Sequence, residues 1–312
     1  TYKRIGIDVN HIELIGVLYL GYQKPNCQGL SSKRHALDYF KEEDFPLIVK
    51  PVDSAGSKGV IKVTCYNELN AAIEKALQFS LSKKIIVEDF IESNGLVSDS
   101  DCFSINGQLV LTTFSWQHFS KYAPNPFTPS AYMWPTNISI EIQNHLKNEL
   151  QRLINLLELE TTLFNVEVRI DTNQIPFIME VSPRGGGNRI SEIINYATGV
   201  DLIRAAIQAS LGEHIDHIPD QLVYNSYWAE IILYSHINGR FKELYVADYI
   251  KQYIFEIDLW VDYGDAIGAF HSANYALGSV ILKCEDKQQI ENIVNNYYDY
   301  INIINNIKEN GK

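Results

Sequence analysis

Phe164-Asn165-Val166-Glu167-Val168-Arg169-Ile170 and Pro176-Phe177-Ile178-Met179-Glu180-Val181-Ser182-Pro183-Arg184 decide the reading of this chain. Both alternate apolar and polar residues, as half-buried strands do. The polar cluster Asp171-Thr172-Asn173-Gln174 between them reads as a turn. A hairpin centred between Asn173 and Gln174 sets Glu167 directly across from Glu180. Period-two alternation then puts Glu167, Arg169, Glu180 and Ser182 on one face. Like charges directly opposed on a sheet are destabilising. Such a pair either holds a cation or is bathed in water.

The chain continues as Pro183-Arg184-Gly185-Gly186-Gly187-Asn188-Arg189. Consecutive glycines let a backbone turn sharply or approach a ligand closely. The flanking arginines can fork onto carboxylate or phosphate oxygens. Upstream, Pro46-Leu47-Ile48-Val49-Lys50 is an apolar strand ending in lysine, followed by Ser54-Ala55-Gly56-Ser57-Lys58-Gly59. Small residues with exposed N–H groups suit phosphate oxygens, and lysines add point charges. Neither the Walker A spacing nor GxGxxG occurs in this stretch. A third stretch, Ile85-Ile86-Val87-Glu88-Asp89-Phe90-Ile91-Glu92, runs from an apolar strand into an acidic, aromatic segment. Its backbone groups could hydrogen-bond a flat heterocycle.

In this order the stretches resemble the ATP-grasp superfamily over roughly residues 21–211. Within it, the chain is similar to L-amino-acid ligases, other carboxylate–amine ligases and carbamoyl-phosphate synthase large-subunit proteins. The resemblance implies an α+β ATP-grasp fold, two α+β subdomains gripping ATP. It implies ATP and Mg²⁺ as cofactors. Lys50 and Lys58 would contact the phosphates under the Ser54, Gly56, Ser57 and Gly59 loop. Glu88, Asp89, Phe90 and Ile91 would form the adenine hinge, using backbone groups of Asp89 and Ile91. Glu167, Glu180 and Ser182 would be the metal ligands. Arg184, together with Lys58, would be catalytic, steadying the substrate carboxylate or the transferred phosphoryl group.

Two positions depart from the family. Ser182 stands where an asparagine ligand is usual. The family's upstream ATP lysine would fall near Asn10 or His11.

Composition fits an enzyme of this kind. The 312 residues, 46% hydrophobic and 21% charged, suffice for two or three compact units. A net charge of −12 without a basic run argues against nucleic-acid or membrane-surface partners. Apolar runs are too short to span a bilayer, and no secretory pattern appears. Cys27, Cys65, Cys102 and Cys284 are scattered and read as reduced thiols of a cytoplasmic protein.

The expected organisation has four parts. Residues 1–25 are an N-terminal remnant, the usual leading Rossmann-like domain being absent or truncated. Residues 26–90 form a small lid, 91–212 a catalytic subdomain and 213–312 an α+β extension. Helices are predicted over 67–80 (capped by Asn67), 140–159 and 285–304. Two more are predicted between Ile190 and Leu211, broken at Gly199 and ended by Gly212. Tyr227 to Ser235 reads as a strand, and Tyr297, Tyr298 and Tyr300 as a helix face against the core. A helix is also expected over 30–45. The aromatic, proline-punctuated region from Trp116 to Pro135 is a candidate substrate pocket or a packed surface loop. His214 and His217 are a weaker metal candidate.

These readings lead to an ATP-dependent ligase. It would activate a small-molecule carboxylate as an acyl phosphate and join it to an amine; the resemblance adds a homodimer as the expected assembly. The alternative is a nucleotide-binding module without turnover.

Overall fold

The computed structural model describes residues 27–30, 37, 39–215, 218, 219 and 221–306. The expected 1–25 segment, Asn10, His11 and His217 lie outside these residues, as do residues 31–36 and 38 of the helix expected over 30–45, whose far end, Glu42–Asp44, is a 3-10 turn.

The first unit is a sheet of β1 (Cys27–Leu30), β2 (Leu47–Pro51), β3 (Ile61–Val63) and β4 (Ile85–Asp89), backed by α1 (Tyr66–Phe79). The strand order is β1-β4-β2-β3. In β2, Leu47, Val49 and Pro51 turn inward and Ile48 and Lys50 outward, as alternation requires. Helix α1 buries Leu69, Ala72, Ile73 and Ala76 against Leu47, Val49 and Val87. Asn67 does not cap it. The cap is Cys65, two residues earlier, and Glu68 reaches back to the Thr64 N–H at 2.8 Å and its hydroxyl at 2.9 Å.

The middle of the chain gives β5 (Val97–Ile105), β6 (Gln108–Thr112), β7 (Trp116–Phe119), β8 (Pro129–Trp134) and α2 (Ile140–Leu156). After them come β9 (Thr162–Ile170), β10 (Pro176–Ser182), α3 (Ile190–Thr198) and α4 (Leu202–Leu211). A four-stranded sheet runs β10-β9-β5-β6. Phe164, Val166, Val168 and Ile170 of β9 are buried against Leu146, Leu150, Leu153 and Ile154 of α2. Asn165, Glu167 and Arg169 therefore share the other face. Gly199 (φ 79°) and Gly212 (φ 69°) close α3 and α4 in the left-handed region, where glycine carries no Cβ penalty.

Beyond residue 212 lie β11 (Tyr227–Leu233), β12 (Gly239–Val246), β13 (Ile254–Leu259), β14 (Ala266–Ile267), β15 (Gly278–Cys284), α5 (Lys287–Asn295) and β16 (Ile301–Asn306). A five-stranded sheet runs β13-β15-β11-β8-β7, so one sheet crosses the 212/213 boundary. A three-stranded sheet runs β14-β12-β16. The helix expected over 285–304 stops at Asn295. Tyr297–Asp299 form one 3-10 turn, and the isoleucine-rich end pairs with β12 as β16. Of the three tyrosines, Tyr297 is the one fully buried, its hydroxyl 3.0 Å from that of Tyr234. Among the described residues no helix is long and apolar enough to cross a membrane.

Candidate active site

One cleft of ≈ 420 Å³ lies between the β1-β4-β2-β3 sheet, the β10-β9-β5-β6 sheet and the five-stranded sheet. Its volume falls in the range of small-molecule sites. Most of the residues singled out from the sequence line it: Lys50, Ser54, Gly56, Ser57, Lys58, Glu88, Asp89, Phe90, Ile91, Glu167, Glu180 and Arg184.

Lys50 projects from β2 onto Glu88 of β4, with Nζ 3.0 Å from Oε2. Glu88 is buried to 1% exposure. Its carboxylate thus serves the lysine, a role the sequence did not reveal. Burial works against the Lys50 ammonium. The charges of Glu88, Glu167 and Glu180 outweigh it and hold the pKa above the ordinary lysine value. In the segment expected to be the hinge, the Phe90 N–H donates to Pro46 O at 3.0 Å, and the Ile91 carbonyl accepts from Arg169 at 3.1 Å. The Phe90 ring sits 3.9 Å from Lys62 Nζ.

Glu167 does face Glu180, but not for the reason read from the sequence. Near the turn the register is Ile178 opposite Val168, one residue short of what the glutamate pair requires. Met179 then bulges out, and the register resumes with Glu180 opposite Glu167 and Ser182 opposite Asn165. Burial raises the Glu167 pKa, and the Glu180 carboxylate raises it further. Ser182 donates its hydroxyl to Glu180 Oε1 at 2.8 Å, orienting that carboxylate.

Asp99 and Asp101 escaped the sequence reading. Strand β5 places Asp99 opposite Glu167 and Asp101 opposite Asn165, so Glu180, Glu167 and Asp99 form one row. Two aspartates two apart in the Ser- and Asp-bearing strand Val97–Ile105 were the available signal. Asn165 Nδ2 donates to Asp99 at 2.6 Å and to Asp101 at 3.1 Å. Burial pushes Asp99 up to about 7 against that bond, with the charges of Glu167, Asp101 and Glu180 adding to it.

Asp101 is fully buried and anchors the triple-glycine segment. It accepts from the Gly186 N–H at 2.6 Å and from the Ser191 hydroxyl at 2.5 Å. A Cβ on Gly186 would meet Asn165 Nδ2 at 2.6 Å and Ile190 Cδ1 at 2.9 Å, so close approach requires glycine here. Arg184, just upstream, folds onto the Gly185 carbonyl at 2.7 Å.

The loop after β2 takes left-handed φ at Gly56 (68°), Ser57 (61°) and Gly59 (74°). Gly59 sits on the lid side, where a Cβ would meet Phe79 Cδ2 at 2.9 Å. Ser57 Oγ donates to Phe127 O at 2.8 Å, and Ala273 N–H to Gly56 O at 3.2 Å. Asn125 Nδ2 donates to both Ser57 O and His271 O at 3.0 Å.

The five-stranded sheet gives the cleft its remaining wall. Gln117, Tyr132, Glu230, Ile281 and Glu256 stand opposite one another in a single row across it. Asn188 Nδ2 donates to the Tyr132 hydroxyl at 2.7 Å. Arg189 bridges Glu256 at 2.7 Å and Glu192 at 2.5 Å. Burial pushes Glu230 up to about 7, against the neighbouring Arg189 and Ser279. Gln117, Phe119, Phe127, Pro129 and Tyr132 all line the cleft, so the Trp116–Pro135 region is wall rather than remote loop.

No group of three or more His, Cys, Asp or Glu among the described residues is gathered to hold a metal ion. Two opposed carboxylates are nevertheless the hard-oxygen donor set that Mg²⁺ uses when phosphate oxygens and water complete its shell. The pair, Glu167 half-buried and Glu180 open to the cleft, fits that ion.

Comparison with known proteins agrees with this fold. The family described as "ATP-grasp domain" matches residues 43–192. The C-terminal section of the carbamoyl phosphate synthase large chain of Aquifex aeolicus is 25% identical over 202 residues, 65% of this chain and 36% of that protein. The chain thus spans about a third of that relative's length. Among solved structures, the L-amino acid ligase from Bacillus licheniformis superposes with a TM-score of 0.76 at 19% identity, covering 94% of this chain and 71% of that one. Phosphoribosylglycinamide synthetase from Anaerococcus prevotii gives 0.62 at 18% identity, covering 96% and 74%. The chain therefore has the ATP-grasp fold, and its residues 43–192 match the ATP-grasp domain family.

Proposed function

We propose that this chain is an ATP-dependent ligase that activates a carboxylate as an acyl phosphate and joins it to an amine, releasing ADP and phosphate. The observation that carries this reading is one cleft holding Lys50, Lys58, the Glu167–Glu180 pair and Arg184. Phosphoryl transfer needs positioning and charge neutralisation more than a covalent protein group. Lys50, kept charged by Glu88, and Lys58 supply positive charge to the phosphates. Glu167 and Glu180 would hold Mg²⁺, with Ser182 aligning Glu180. Bound there, the ion would neutralise charge on the phosphate oxygens.

Arg184 steadies the substrate carboxylate or the phosphoryl group, on a backbone fixed by Asp101. The Ile91 N–H and the Phe90 edge of the hinge receive the adenine. Residues 26–90 act as the lid. The 54–59 loop, tied down by Asn125, Phe127 and Ala273, excludes water and spares the acyl phosphate from hydrolysis.

The test is phosphate release from ATP with Mg²⁺ across a panel of carboxylates and amines, singly and in pairs. Turnover requiring one particular pair supports the ligase and names its substrates. ATP binding without turnover for any pair overturns it in favour of a nucleotide-binding module.

A further inference from the structure

Arg169 shares a face of β9 with Glu167 yet stands outside the carboxylate row. Glu167 lies between Glu180 and Asp99, whereas Arg169 lies between Phe177 and Val97. No carboxylate is opposite it, and its half-buried side chain reaches a residue 78 positions earlier. Its Nη1 donates to Ile91 O at 3.1 Å, and its guanidinium carbon is 5.4 Å from the centre of the Phe90 ring.

The segment 89–92 is thereby held from two sheets. The Phe90 N–H is bonded to Pro46 O, beside β2, and the Ile91 carbonyl to β9. Lys62 of β3 adds a third hold, 3.9 Å from the Phe90 ring and bonded to Glu92 at 2.5 Å. The Ile91 N–H falls between the two backbone anchors. Ile91 lines the cleft, and its N–H has no partner among the described residues. A fixed, unpaired donor of this kind calls for an acceptor such as a ring nitrogen.

Resting on the ligase reading, we propose that Arg169 is a positioning residue for the nucleotide base. It fixes the Ile91 backbone so that the Ile91 N–H stays presented to the base, and it leaves the phosphates to Lys50 and Lys58. A planar guanidinium donates at a fixed angle and stacks on an aromatic ring, which a rotating ammonium does not reproduce. Ordering this segment before the nucleotide arrives removes part of the cost of binding. Arg169 also draws the Glu167 pKa down, against burial and Glu180. The rival role is therefore at the metal pair, and a ligand without a base separates the two.

The experiment titrates the full chain with Mg²⁺ and either ADP or inorganic tripolyphosphate, which has phosphates and no base. The variants are Arg169→Met and Arg169→Lys. Kd for ADP is expected to rise about tenfold in the first and at least about threefold in the second. Kd for tripolyphosphate stays within about twofold in both, as does kcat with ATP while KM rises. In the wild type, amide exchange at Ile91 slows with ADP and not with tripolyphosphate, a readout that needs no variant to fold.

Equal losses for the two ligands overturn the proposal and assign Arg169 to the metal pair, with the ligase reading intact. Unchanged ADP affinity in both variants, or unchanged exchange at Ile91 with ADP, overturns it too. A base-dependent loss in a protein that releases no phosphate with any acid and amine supports the role of Arg169 and counts against ligation.

Discussion

Glu180 stands opposite Glu167 because Met179 bulges out of β10. Without the extra residue, the register set at the turn would pair Glu180 with the buried Val166 and point its carboxylate into the core. Ile178 and Val181 both pack on the core beneath this sheet although they are three apart, which strict alternation forbids. Glu180→Gln keeps the shape and removes the charge. We expect Mg²⁺-dependent ADP formation to fall about a hundredfold or more. Melting temperature should hold or rise slightly, because a like-charge pair is relieved. Unchanged turnover would remove the pair from the metal.

Lys50 and Glu88 form a pair in which the carboxylate is the buried partner. Lys50→Met leaves that carboxylate without its countercharge. We expect a loss of roughly 3 kcal/mol in urea unfolding together with loss of ATP turnover. Adding Glu88→Leu to Lys50→Met should recover most of the stability and none of the activity. Additive losses in the double variant would show that the two side chains do not stabilise each other.

The glycine segment separates two neighbours sharply. Gly186→Ala must displace Asn165, Ile190 or the Asp101 carboxylate, whereas a Cβ on Gly187 meets nothing within 4 Å. We expect the first to cost about 2 kcal/mol and the second less than about 0.5 kcal/mol. Equal melting temperatures for the two variants would refute the tight packing. Asp101→Asn should lower kcat more than it raises KM, because it loosens the backbone that presents Arg184.

Glu230 predicts a pH effect on stability. Its pKa is raised from an ordinary 4.5 to about 7 by burial. The native state therefore holds a proton that the unfolded chain has released. This contribution is fully present below about pH 4.5 and is lost as pH rises through about 7. Glu230→Gln should match the wild type near pH 4.5 and exceed it by up to roughly 3 kcal/mol at pH 8. Urea unfolding curves of the two proteins that stay parallel across that range would contradict it.

What the sequence disclosed was local in origin. The alternation of Phe164, Val166, Val168 and Ile170 declares a strand with one wet face, and Gly199 and Gly212 mark helix ends. Lys50 and the glycine-bearing loop after it read as a candidate phosphate-binding turn, and the structure brings both to the cleft. Relationships made by distant pairing stayed hidden. Nothing near Glu88 says that its side chain answers Lys50 across two strands. Asp101 reveals its task only once β5 lies beside β9 and brings it under Gly186, 85 residues away. The stretch 285–304 misled because asparagine and tyrosine carry weak helix preference, and Ile301, Ile303 and Ile304 pair with a strand some 60 residues earlier.

The strand β8, which carries Tyr132, takes its hydrogen bonds on one side from β11, beyond residue 212. A gene fragment ending at residue 192 or 212 would encode the lysines and the glutamate pair yet leave Trp134 without the Trp228 strand that covers it. The folding unit is therefore larger than the stretch 43–192 that matches the ATP-grasp family. Ile232, Phe270 and Ala276, all beyond residue 212, line the same cleft as Lys50 and the glutamate pair, so a fragment without them would lose part of the cleft as well as the strand.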